Sequence, residues 1–182
     1  TLSDNTRTTM APAPTTAIFE LAALKNGKLW QVLQNNVLYT YDIATNVWTS
    51  TGWNVGNWAM VVAHGTEASD DIYIIVANSR LVWAYNTLTG VSRALAMFPV
   101  AFGLGGNGMV QWIPSAEGRQ YGFIYAVGGC GGEPRLYSIR DNTWSTVATP
   151  HNNANCAGHV AYDGCTQRLY VTDGTSQRAS SS

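Results

Sequence analysis

Short apolar runs, each four to eight residues long and bounded by polar turns, fill the chain almost from end to end. Four of them share an aliphatic–aromatic pair: KNGKLWQVLQ (25–34) carries Leu29-Trp30, SDDIYIIVAN (69–78) carries Ile72-Tyr73, RQYGFIYAVGG (119–129) carries Ile124-Tyr125 and TQRLYVTDG (166–174) carries Leu169-Tyr170. The aromatic members lie 43, 52 and 45 residues apart. A second run precedes each one: AIFELAAL (17–24), WAMVVAH (58–64), GMVQWI (108–113) and GHVAYDG (158–164). A third follows the first three, NVLYTYDI (36–43), RLVWAYN (80–86) and PRLYSI (134–139), and after a polar turn comes a fourth: VWTST, VSRAL and TWSTVA. Their length and their content of Val, Ile, Tyr and Trp are strand properties. No window of about 11 residues carries helical periodicity.

The chain therefore repeats a four-strand unit about every 47 residues. With the strands lettered a to d from the aliphatic–aromatic run onward, the preceding run is strand d. A four-stranded antiparallel unit at this period predicts an all-β fold, a β-propeller of about four blades. One such sheet cannot bury both of its faces, whereas neighbours stacked around an axis can. Residues 1–175 form the predicted propeller, and the Ser-rich stretch 176–182 a flexible tail. The segment SDNTRTTMAPAP (3–14) matches RDNTWSTVATP (140–150), so the chain begins inside a blade, and it ends just after a strand a. These ends are complementary parts of one blade, which predicts closure by joining the N- and C-terminal strands. An excerpt of a larger ring, or half of a ring shared by two copies, are the alternatives.

The unit resembles the kelch repeat. The double glycine Gly128-Gly129 follows a strand a, LYTYDIATNVW runs through Tyr41 to Trp48, LYSIRDNTW ends in Trp144, and MAPAP, AMFP and VATP resemble the Pro-containing linker after strand c. The resemblance spans nearly the whole chain but is uneven: the double glycine occurs once, and Ser92 takes the place of the last aromatic in the second full repeat. It implies structural roles for Trp48, Trp144, Tyr41, Tyr85, Gly128 and Gly129. The glycines would permit positive φ and close backbone approach. Each Trp would bury on the order of 200 Å² between blades.

Composition narrows the function. Charged residues are 12% of the chain, about half the usual share, and net charge is −1. No electrostatic footprint for nucleic acid or an acidic membrane follows from this. There is no run of about 20 apolar residues to span a bilayer, no signal-like N-terminus and no Asn-x-Ser/Thr sequon. Surface polarity falls to Ser, Thr, Asn and Gly, which suits an extracellular or surface-exposed protein. Cys130, Cys156 and Cys165 make no CxxC pair, so no zinc site or other metal centre is expected, nor any cofactor. His64, His151 and His159 fall in different elements. Asp70-Asp71 reads as a solvated turn.

The a–b and c–d loops leave every blade on one face, and the c–d loops GWNVGNW (52–58), FPVAFGLGGNG (98–108) and PHNNANCAG (150–158) are long. Function concentrates on loops held by a rigid frame. That makes Trp53, Asn54, Phe102, Asn107, His151, Asn152 and Asn153 the candidate binding residues, with Trp53 and Phe102 as exposed anchors. Folding of Trp53 back over the blade edge is the alternative. Cys130 and Cys156 fall on the same face, where a disulfide between them would suit an oxidising compartment. Cys165 lies at a turn on the opposite face, free or paired with another chain. The expected function is a non-catalytic protein-interaction or structural assembly module whose partner is another protein or copies of itself. A carbohydrate-binding propeller is the alternative, and an enzyme of galactose-oxidase type ranks last, since no spacing brings two His and two Tyr together.

Overall fold

The computed structural model describes residues 9–15, 22–57, 59–63, 65, 69–102, 108–115, 118–128, 132–147 and 160–171. Among these residues lie fourteen strands and no helix. The first sheet holds β1 (Ala23–Lys25), β2 (Lys28–Val32), β3 (Val37–Asp42) and β4 (Val47–Asn54) in that order. The second holds β5 (Ala59–Ala63), β6 (Asp71–Val76), β7 (Val82–Asn86) and β8 (Ser92–Ala94). The third holds β9 (Met109–Ser115), β10 (Gly118–Val127), β11 (Arg135–Ser138) and β12 (Thr143–Thr146), and the fourth pairs β13 (Val160–Asp163) with β14 (Arg168–Val171). Every pairing is antiparallel between strands adjacent in sequence. Each of the first three sheets is thus a meander in the order d, a, b, c, and the fourth shows the d and a strands among the described residues. The first strands touch in succession, β1 to β5, β5 to β9 and β9 to β13. Among the described residues no strand of the fourth sheet pairs with the first.

The turns explain how so regular a meander forms with few double glycines. Left-handed backbone is needed at most of them, and Asn26, Asn36, Asn46, Asn78 and Asn142 supply it at φ between 52° and 61°, with Gln167 at 54°. Asparagine tolerates this region better than other side chains because its short amide bonds locally. Gly128 was expected in the same role, but it is absent from the left-handed glycines, which are Gly27, Gly52, Gly56 and Gly90. Its neighbour Gly132 passes so close to the Gly128 carbonyl that no Cβ would fit there.

Stacking follows from the alternation of side chains along a strand. At every junction the aromatic member of one sheet's pair meets the aliphatic member of the next sheet's pair. Trp30, Val32, Ala23 and Leu38 of the first sheet pack on Ile72, Ile74, Val61 and Tyr85 of the second. Tyr73 and Ala84 meet Ile124 and Tyr137 of the third. Met60, Ile75 and Val82 meet Val110 and Ala126 alongside Phe98 and Phe102. Met109, Tyr125 and Val127 meet Val160 and Leu169 of the fourth. Each sheet so has a leading face, covered by the sheet before it, and a trailing face that covers the sheet after it.

A polar clamp ties the outer rim. Asn142 accepts a hydrogen bond from the Ala96 backbone N–H at 2.8 Å and another from the Tyr137 hydroxyl at 2.8 Å, while the Trp144 indole donates to the Ala96 carbonyl at 2.9 Å. The first sheet repeats the clamp on residues near its N-terminal side. Asn46 accepts from Ala11 N–H at 2.7 Å and from the Tyr41 hydroxyl, and Trp48 donates to the Ala11 carbonyl at 3.1 Å. Tyr41 and Tyr85 are buried. Trp48 and Trp144 are only half-buried, so they act as rim clasps and bury less than a full core tryptophan would.

Asp70-Asp71 is not a solvated turn. Asp71 is buried and paired with Arg93 at 2.7 Å. Asp70 accepts from Asn26 of the first sheet at 3.2 Å, and the same amide reaches Thr87 at 2.9 Å. Asp70 locks the first sheet's β1–β2 turn to the second, whereas Asp71 braces its own sheet through Arg93.

Burial also sets the alkaline limit. It raises the Tyr137 hydroxyl to about 12 against the opposing pull of Arg93. It raises Tyr73 further, helped by the Asp71 carboxylate. Unfolded tyrosine titrates near pH 10. Because both folded values lie above that, their contribution to stability is complete below about pH 10 and is lost as pH rises through the folded values. Tyrosinate absorbance followed with circular dichroism should show a late-ionising fraction that appears together with loss of the β signal. Complete ionisation with the β signal intact would contradict it.

Candidate functional site

In the first two sheets the strand ends opposite the β3–β4 and β7–β8 turns carry the a–b and c–d connections, as far as these are described. Val55 N–H donates to the Asn36 carbonyl at 2.9 Å, which joins the first sheet's two loops. Asn57 reaches across to the Ala77 carbonyl of the second sheet at 3.2 Å. In the second sheet Asn78 N–H donates to the Phe102 carbonyl at 2.8 Å and Phe102 N–H to the Ser79 carbonyl at 2.7 Å. Arg80 holds the same connection through the Phe98 carbonyl at 2.8 Å. Where they are described, the loops of the first two sheets are therefore tied to one another by hydrogen bonds on this face.

Trp53 lies in strand β4 and not in a loop, packed into the junction between the first and second sheets. Strand β4 continues past the expected boundary because Gly52, at φ 77°, lets it bulge opposite Leu38, whose carbonyl accepts the Thr51 hydroxyl at 2.8 Å. The bulge turns Trp53 toward the second sheet. Its ring stacks on Tyr85 with centroids 5.3 Å apart and an interplanar angle of 13°, and it meets Trp83 edge-on at 5.9 Å. Both tryptophans stay half-exposed over the buried Tyr85. Trp53 thus folds back on its neighbour and keeps one edge in solvent. Asn54 is exposed beside it, its side-chain carbonyl taken by Gly56 N–H at 2.8 Å.

Phe102 is a correction. It is fully buried, edge-on to Phe98 at 5.0 Å, because its backbone bonds to residues 78 and 79 pull the connection inward over the sheet end. It is a plug and not an exposed anchor. Trp83 was missed in the sequence. The signal was there, since it alternates with Tyr85 on one face of RLVWAYN. Asn107, His151, Asn152, Asn153, Gly129, Cys130 and Cys156 lie outside the described residues, as do His64 and His159. Cys165, on the β13–β14 turn of the opposite face, is an exposed free thiol.

A second concavity lies at that opposite edge. It has a volume of about 570 Å³ and is lined by Leu24, Lys25, Gly27, Ile43, Ala63 and Gly65, with the Lys25 side chain nearly wholly buried. Among the described residues no three of His, Cys, Asp and Glu converge as a metal centre would need, and no helix is long and apolar enough to cross a membrane.

No family model and no curated protein matches the sequence. Solved structures do match it. An auxiliary nutrient binding protein from Bacteroides ovatus ATCC 8483 superposes with a TM-score of 0.61 at 19% identity, over 84% of this chain and 45% of that one. An auxiliary nutrient binding protein from Bacteroides thetaiotaomicron VPI-5482 gives 0.58 at 12% identity, over 81% of this chain and 43% of that one. A protein described as the extracellular domain of a hybrid two-component system from B. thetaiotaomicron gives 0.50 at 21% identity, over 85% and 21%. The chain is similar to these proteins in its all-β fold, and it spans less than half the length of each.

Proposed function

We propose that the sheets are kelch-like blades of a β-propeller and that the chain is a non-catalytic binding module working through its loop-bearing face. The meander order of the first three sheets, the succession of first strands and the repeated rim clamp support the propeller reading. The half-exposed Trp53–Trp83 pair over Tyr85 carries the binding reading. Two indoles at a fixed angle, with hydrogen-bonding Asn54 beside them, offer an apolar surface with a polar margin that suits the face and hydroxyls of a sugar ring. The similarity to structures named as nutrient binding proteins points the same way. Similarity to an extracellular domain fits an extracellular or surface setting.

A glycan array followed by calorimetry tests this. Trp53→Ala and Trp83→Ala should each weaken binding of the best oligosaccharide by at least about tenfold, the size expected when a central aromatic contact is removed. Trp53→Phe should retain most of it. Binding that is indifferent to both alanine variants would refute the site. A protein partner is the second reading, favoured by Met97 and Val100, which are exposed on the connection after β8. In that case the array is blank, and Met97→Asp disrupts the contact where Trp53→Phe does not.

A further inference from the structure

Each junction matches one trailing face to one leading face, and among the described residues this leaves a leading face open on the first sheet and a trailing face open on the fourth. On the first sheet the cross-strand column Leu24, Leu29, Tyr41 and Trp48 stands where the third sheet carries Trp112, Ile124, Tyr137 and Trp144. In the third sheet Ile124 and Tyr137 are fully buried by the second. In the first, Tyr41 is likewise buried, but Leu29 is only half-buried and Leu24 is 60% exposed. Gln31 stands beside them, where the other sheets have Ile74 and Ala126. At the far end, Tyr170 is 52% exposed, whereas its counterparts Trp30, Tyr73 and Tyr125 are at most 5% exposed.

One further observation shows what kind of object the open leading face takes. Ala11 is held on the Asn46–Trp48 clamp by the same three hydrogen bonds that hold Ala96 on the Asn142–Trp144 clamp. Ala96 belongs to the exit from β8, the outermost strand of the sheet that covers the third sheet's leading face. The first sheet is therefore prepared, rim first, for a sheet of the same kind.

We propose that the open trailing face of a second copy fills it, with Tyr170 of one chain lying against Leu24 and Leu29 of the other, so that two copies close head-to-tail through two equal contacts. Two points select a second copy as the occupant. The two open faces are the same pair that already fits at three junctions within the chain, so the new contact continues an existing interface. Both are apolar at their centres. A head-to-tail contact ends at two copies if the rotation closes, and grows into a filament if it does not.

Light scattering coupled to size-exclusion chromatography of the 182-residue chain tests this. At micromolar concentration the mass should be twice the 19.6 kDa of one chain. Leu24→Asp and Tyr170→Asp should each halve that mass with the β signal in circular dichroism unchanged. Both positions are more than half exposed in the single chain; if an aspartate variant loses its β signal, serine at the same position takes its place. Mixing the two variants should restore a two-chain species, because the intact leading face of one meets the intact trailing face of the other. A wild-type mass of one chain overturns the proposal and assigns the face to another sheet of a longer chain or to a different protein. A two-chain mass that survives both substitutions places the contact elsewhere. An open-ended series of masses overturns closure at two.

Discussion

Tyr73→Ala is expected to cost about 3–5 kcal/mol of stability, the range for removing a large buried aromatic side chain, whereas Tyr170→Ala should cost less than about 1 kcal/mol in the dilute single chain. The two residues hold the same position in the repeat. Tyr73 is wedged between the second and third sheets against Ile124 and Tyr137 with 1% of its surface exposed, and Tyr170 faces outward at 52%. Denaturant melts of both variants, compared at concentrations below any self-association, measure the difference. Equal costs would mean that the aromatic member of the pair works within its own sheet and not across a junction, and the stacking account of the fold would fail. Tyr73→Phe should lie between them and close to wild type, since the ring supplies the packing.

Trp144→Ala is expected to cost about 3 kcal/mol, the low end for a tryptophan because the residue is half-exposed. The indole contacts Phe98 at 4.7 Å and Tyr137 at 5.1 Å, and its N–H is bonded to Ala96. Trp144→Phe keeps part of the ring contact and strips the Ala96 carbonyl of its donor, for about 1 kcal/mol. Trp48→Ala should cost less than Trp144→Ala, because it lacks a counterpart of Phe98 even though its clamp is identical in form. Thermal unfolding of the three variants separates packing from hydrogen bonding. A Trp144→Ala variant as stable as wild type would show that the second and third sheets are held by their inner strands alone.

The strands were legible in the sequence because a half-buried sheet writes its alternation into the chain. All four aliphatic–aromatic pairs fall in strands, and the antiparallel meander follows from the short turns between them. What alternation cannot show is the direction of each residue, so the division of Ile72 and Ile124 from Tyr73 and Tyr125 between opposite neighbours emerged only from the packing. Asparagine at left-handed turns replaced the glycines that the kelch resemblance led one to seek. The candidate site was half legible. Trp53 was singled out but assigned to a loop, whereas a bulge at one glycine extends β4 to include it. Phe102 was read as exposed because its loop is long and Gly-rich, yet two backbone hydrogen bonds to the neighbouring turn are enough to draw it inside. Asp71 looked like surface charge until Arg93, 22 residues away, closed on it.

The succession of contacts has a mechanical consequence. Because each sheet leans only on the one before and the one after it, the molecule behaves as a row of coupled cells, and cohesion decays from the middle outward. The second and third sheets, each gripped from both sides, should be the last to let their amides exchange with solvent. Any ligand or partner that caps an end would therefore stiffen the whole row.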